Sequence, residues 1–347
     1  AAAVAKGMAF SHPVPAFLEF ETMTEAIQEQ PASSRIEHFP VMFFAVGMGM
    51  FGFTLSVNAA SHAFAWPAFI GQAVLAVSAI LLGLISLAYL TKLLTRPSAV
   101  LQEWHHPVRI AFFPAMSIAY LLLATALMGI NQAAANIVWM GATLVQGILA
   151  LAVIGAWIGH RPFHPPQLSP AWFIPAVGNV IVPIAGGPLG HVEISWLFFS
   201  GGLLFWIVLL TLVLNRLMFH EPLPGRMVPT VMILVAPPAV AYVAWLRLAG
   251  EPGAFGHILI SLGYVFALIV ATQVRRFRGM PFALSWWALS FPIAALSIAS
   301  FAHGTATQSA GHQAIGLGLL LLLTVIVIML LVRTARAMLR NEICVAE

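Results

Sequence analysis

The sequence predicts an all-α integral membrane protein, with ten transmembrane helices paired as five helical hairpins and five kinked inner helices around a central pore. Three observations carry this prediction. Of 347 residues, 61% are hydrophobic and 7% charged, against about 25% charged in an ordinary soluble domain. Ten apolar stretches lie between Phe39 and Met338, each close to the roughly 20 helical residues that span a bilayer core of about 30 Å. Prolines occur in every odd-numbered stretch and in no even-numbered one. A proline inside a helix removes one donor and clashes with the preceding turn. In lipid the freed backbone groups need partners, so broken helices belong against protein or a cavity.

The elements follow in order. Residues 1–37 read as a polar cytoplasmic amino-terminal segment: Glu19, Glu21, Glu25 and Glu29 stand among Pro13, Pro15 and Pro31, without the apolar core of a signal peptide. Residues 38–340 form the pore domain. Its first stretch opens at Phe39-Pro40 and carries Gly47, Gly49 and Gly52, small residues that admit close backbone approach. The proline-free stretch 68–94 follows. Phe113-Pro114 marks the third stretch, and 132–158 is its partner. Pro175 and Pro183 mark the fifth, paired with 192–217; Pro237-Pro238 mark the seventh, paired with 254–274. Phe291-Pro292 marks the ninth, paired with 311–338. The prolines recur at roughly 55 to 75 residues, the length of one hairpin with its loops. Residues 341–347 are a short cytoplasmic tail with the single Cys344, a free thiol.

Orientation follows from the basic residues. Of the 15 lysines and arginines, all but Arg247 fall in the termini or in connections on one side of the predicted membrane. By the positive-inside rule that side is cytoplasmic, with both termini on it. The net charge of +4 reflects this topology and implies no nucleic-acid partner. Glu193 reads as a first-turn acid complementing a helix dipole, and Glu251 as the partner of Arg247 four residues earlier.

The residues also exclude classes of function. The chain has no aspartate, and none of its eleven glutamates lies in the middle of an apolar stretch. A cation channel needs a carboxylate ring or a carbonyl filter, and proton-coupled transporters place titratable groups within the membrane. A neutral pore with a basic mouth favours anions, although carbonyls freed by proline oppose them. The twelve histidines fall at helix ends, in loops or in the amino-terminal segment, so no metal or haem cofactor is expected. No nucleophile–base arrangement or phosphate-cradling glycine loop points to an enzyme.

Phe291 lies about ten residues into a helix of about twenty, near the membrane midplane at about 1.5 Å per residue. Pro292 beside it removes the bond to the Ala288 carbonyl and bends the helix. The ring either occludes a constriction or packs as an ordinary core aromatic. Phe44 and Phe113 are further candidates for lining the same pore, with Phe112 the alternative to Phe113.

The run Ser285-Trp286-Trp287-Ala288-Leu289-Ser290-Phe291-Pro292 resembles the Trp-Trp-x-x-x-Phe-Pro signature of the tellurite-resistance/dicarboxylate transporter family, which includes the plant slow-type (guard-cell) anion channels. Ala236-Pro237-Pro238 with Ala244-Trp245, Val177-Gly178-Asn179, and Phe39-Pro40 with Phe44 and Gly49 are similar to the family pattern in the same order, covering residues 38–338. The resemblance implies a homotrimer with one pore per protomer, closed by a phenylalanine that is Phe291 here. Phe44, Phe113, Gly178, Pro237 and Pro292 are its pore-lining candidates. It further implies a bacterial inner-membrane channel or uniporter for small inorganic or organic anions, with a secondary transporter of C4-dicarboxylate, sulfite or tellurite-like oxyanions as the alternative. The long phosphorylated tails of the plant members have no counterpart in the 37 leading residues, so kinase gating is not expected.

Overall fold

A computed structural model describes residues 35–159, 163, 167–277 and 279–344. Residues 1–34 of the expected amino-terminal segment and 345–347 of the expected tail lie outside the described residues. All regular structure among the described residues is helical. Nine of their helical spans are long and apolar enough to cross a membrane, and Pro170–Gly186 is a shorter apolar tenth. In chain order the α-helices are α1 (Phe44–Phe64), α2 (Ala68–Thr95), the short α3 (Pro97–His105), α4 (Pro114–Leu127), α5 (Gln132–Ile158), α6 (Phe173–Gly186), α7 (Val192–Phe219), α8 (Ala236–Ala249), α9 (Gly253–Thr272), α10 (Ser290–Ala306) and α11 (Ala310–Leu339).

The proline-free stretches become α2, α5, α7, α9 and α11, each within two residues of its expected bounds. The proline-bearing stretches are composite. A 3₁₀ segment leads into each one: Val41–Phe43 into α1, Arg109–Phe112 into α4, Pro170–Trp172 into α6, Gly225–Val235 into α8 and Leu284–Leu289 into α10. The prolines gather at these joints and not at mid-helix kinks. Pro40 caps the first lead-in, Pro114 opens α4, and Pro237 and Pro238 lie in the first turn of α8. Pro175 and Pro292 are the third residues of α6 and α10, while Pro183 alone sits well inside an α-helix. The physical reason is that the first-turn N–H groups have no intrahelical acceptor, so proline there sacrifices no bond.

The composite helices form a closed ring, α1–α4–α6–α8–α10 and back to α1, each in contact with the next. Their 3₁₀ lead-ins touch one another in the same cyclic order. Each proline-free helix packs on the composite helix before it and also on the next one around the ring. Burial divides accordingly. In the most apolar window of each span, the long composite members are 72–78% buried and the outer helices 28–39%. The outer helices therefore present a continuous apolar surface of the kind lipid covers. Arg35 at the start of the described chain donates to the Met338 carbonyl at the end of α11, 2.7 Å away. Both ends of the bundle's chain thus lie at the same end of the molecule, as an even number of crossings requires.

Candidate functional site

Inside the ring, at the level of the joints, lies an apolar cavity. Every composite helix contributes to it: Ala45 and Met48 from α1, Phe112 and Ile118 from the α4 segment, and Phe173, Ile174, Val177 and Ile181 from α6. Ile233 and Ala236 close the α8 side, and Leu284, Ser285, Trp287, Ala288, Phe291 and Pro292 the α10 side. The space open to water centres is ≈ 40 Å³, room for about three waters. Ser285 is its one polar lining side chain, and that hydroxyl donates to the Arg226 carbonyl.

Phe291 is the second residue of α10, where the 3₁₀ segment gives way to α-helix, and is 8% exposed. Rises of about 2.0 Å per 3₁₀ residue and 1.5 Å per α residue place it about 13 Å from Leu284 and about 22 Å from Ala306. It therefore sits nearer the arginine-rich end than a midplane position. Its ring lies over Gly52 of α1: a Cβ added there would stand 3.3 Å from Phe291 Cδ2. The bare α1 backbone is what gives the ring its seat.

Of the other expected lining residues, Pro292 joins Phe291 in the cavity wall. Phe112, the alternative inward neighbour, also lines it, whereas Phe113 sets its ring edge-on to Trp104 of α3, 5.0 Å between centroids. Phe44 turns to Tyr89 of α2, at 5.6 Å. Gly178 faces α5, where an added Cβ would fall 2.5 Å from Gln146 Nε2. Pro237 is buried in the first turn of α8 and outside the cavity lining. One-residue differences in phase on short helices, set by the joints, decide these directions.

Backbone carbonyls of the ring are bonded from outside it. Gln146 Nε2 on α5 donates to the Pro175 carbonyl at 3.2 Å and to Asn179 Oδ1 at 3.0 Å, and its Oε1 accepts from Ser117 Oγ at 2.8 Å. Trp139 Nε1 donates to the Val182 carbonyl at 2.9 Å, and Ser78 Oγ to the Met50 carbonyl at 3.2 Å. Carbonyls held by these donors present less negative potential to the axis.

Sequence reasoning missed a buried ion pair. Lys92 Nζ lies 2.9 Å from Glu103 Oε2, with side chains 2% and 3% exposed. Lys92 also donates to the Phe39 carbonyl, and Glu103 accepts from Tyr89 OH and the Val41 amide. The cluster anchors the start of the first lead-in. Lys92 had been legible only as part of the basic connection. The expected Arg247–Glu251 pair does not form: Gly250, at φ 81°, ends α8 and takes Glu251 off the helix face. The histidines of the opposite end meet, with His303 5.0 Å from His257 and 4.4 Å from His312 between ring centroids. Tyr242 OH lies 2.7 Å from His303 Nδ1. Among the described residues no set of three His, Cys, Asp or Glu side chains is placed to hold a metal ion.

A closed ring of composite helices around an apolar cavity, sheathed in apolar outer helices, fits a multi-pass membrane protein. Residues 38–335 match the family model described as voltage-dependent anion channel, and the chain belongs to this SLAC1 family. Among curated relatives, the S-type anion channel SLAH3 of Arabidopsis thaliana is 28% identical over 81% of this chain and 45% of its own length. Its S-type anion channel SLAH2 is 31% identical over 65% of this chain and 44% of its own length. The tellurite resistance protein TehA homolog of Haemophilus influenzae is 27% identical over 78% of this chain and 83% of its own. The chain thus spans less than half the length of these two plant channels. The family consists of anion channels and transporters and not of enzymes.

Proposed function

We propose that the axis of the ring is an anion pathway, closed in this conformation by the Phe291 ring. The observation that carries this reading is the placement of Phe291: it walls a cavity lined by all five inner members and packs its ring against Gly52. An apolar ring at such a constriction blocks small ions sterically and by dewetting. The family and the channels among its relatives support small anions as the permeating species. Truncating the ring opens the constriction at little structural cost, because Phe291 borders empty space. A fully packed Phe→Ala change costs about 3–5 kcal/mol.

The test is anion current in planar bilayers. Phe291→Ala raises conductance for a series of small anions by at least about tenfold, whereas Phe205→Ala on outer helix α7 leaves it unchanged. Well-assembled Phe291→Ala protein with currents no larger than wild type would refute the gate. Flux that saturates and follows a proton gradient would point instead to a coupled oxyanion or dicarboxylate transporter. The purified protein has the mass of a trimer, one pathway per protomer; a monomeric or dimeric mass refutes that stoichiometry.

We further read the arginine-rich end, with both termini, as cytoplasmic, and residues 38–340 as the one pore-forming domain. Labelling of Cys344 by a membrane-impermeant maleimide only from the cytoplasmic face checks the orientation. Burial pushes this thiol up from its ordinary range, against the smaller opposing pull of Arg35 and Lys92. Labelling is therefore run in alkaline buffer.

A further inference from the structure

We propose that Arg247 is an anion-collecting site at the mouth of the axial pathway opposite the arginine-rich end. The proposal rests on the reading that anions use this axis, and adds where they are first bound. Arg247 is the only lysine or arginine that the topology places at that end. At about 100° per residue, Ala236, Val240, Val243 and Arg247 fall on one face of α8. Ala236 walls the axial cavity, so this face points to the axis. The remaining sides of α8 face its neighbours: Tyr242 bonds to His303 of α10, and Trp245 stands against Trp196 and Phe199 of α7. Eleven residues beyond Ala236, Arg247 stands about 16 Å farther along the axis.

A second observation supports an opening of the axis there. Leu55, Thr125, Ile298 and Ala302 each lie seven or eleven residues beyond the cavity-lining Met48, Ile118 or Phe291 on the same helix. All four are partly exposed, while Ser297, Ala299, Ser300 and Phe301 beside them on α10 are buried. Exposure repeated on this one face of three inner helices is what a vestibule beyond Phe291 would give. Arg247 is exposed at its mouth, and its guanidinium has neither an ion pair nor a hydrogen bond among the described residues. An unpaired guanidinium offers five donors and permanent positive charge. Between apolar walls it raises the local concentration of small inorganic anions.

The experiment uses Phe291→Ala channels in planar bilayers with chloride as the probe. Arg247→Gln lowers conductance about tenfold at about 10 mM salt, and the difference fades near 1 M, where the Debye length is about 3 Å. The loss is greater for chloride arriving from the Arg247 side, and Arg247→Lys retains most of the conductance. Arg247→Cys in a Cys344→Ser background supplies an independent arm. A positively charged thiol reagent restores low-salt conductance, and a negatively charged one does not. Identical conductance–concentration curves for parent and Arg247→Gln overturn the proposal and leave the pathway standing. A loss independent of salt and direction overturns it in favour of a structural role. Phe291→Ala channels that pass no anion overturn the pathway, and this site with it.

Discussion

The two concentric layers of the bundle solve opposite problems with similar apolar compositions. The outer helices α2, α5, α7, α9 and α11 are 20 to 30 residues of uninterrupted α-helix, with most of their most apolar windows facing outward. Every backbone group in their interiors is satisfied within the helix, as lipid demands. The inner members change from 3₁₀ to α at a proline-bearing joint and are buried on nearly all sides. Carbonyls of these inner members take side-chain donors from the outer layer, which α2 and α5 supply through Ser78, Lys92, Trp139 and Gln146. The comparison teaches that the outer layer is more than a lipid-facing sheath. Its few polar side chains complete the backbone of the inner layer and so permit an irregular ring around a chamber.

The largest expected effect comes from removing such a support where it carries charge. Lys92→Met leaves the Glu103 carboxylate buried and unpaired, and withdraws the donor from the Phe39 carbonyl. Breaking a buried pair on one side costs about 3–5 kcal/mol. Thermal unfolding in detergent should fall well below wild type, with the start of α1 the first region to exchange amide hydrogens. Stability equal to wild type would show that the outer layer does not hold this lead-in. Gln146→Leu is the intermediate case. It withdraws the donor from Asn179 Oδ1 and the Pro175 carbonyl and removes the side-chain acceptor of the Ser117 hydroxyl, at about 1–3 kcal/mol. Leu322→Ala on the outward face of α11, 49% exposed, sets the lower bound. It should change stability by no more than about 0.5 kcal/mol, and the Gln146 variant read beside it separates support of the ring from simple loss of apolar surface.

Legibility differed between the layers for the same physical reason. The outer helices were readable nearly to the residue, because length, hydropathy and absence of proline are local properties of the chain. The prolines also marked the inner members correctly, but a proline states only that a donor is missing. It does not state whether the helix bends around it or begins there. Phe291 and Pro292 stood out by their shared signature, and the structure places both in the cavity wall. Phe44, Phe113 and Gly178 belong to the same inner segments and turn outward to Tyr89, Trp104 and Gln146. On short helices that begin at a joint, facing depends on where the 3₁₀ turn stops, and neighbouring helices set that point.

The sequence by itself determined that the chain is helical, membrane-spanning, built of alternating smooth and interrupted members, and charged at one end. Each of these follows from composition or from the local stereochemistry of proline. The tertiary structure alone decided which interrupted members touch around the ring, that Lys92 leaves the basic connection to meet Glu103, and that Gly250 parts Arg247 from Glu251. These outcomes depend on contacts between residues distant in the chain, or on where one helix stops. A bare glycine under an aromatic ring, as at Gly52 beneath Phe291, becomes a feature only when packing has brought the two helices together.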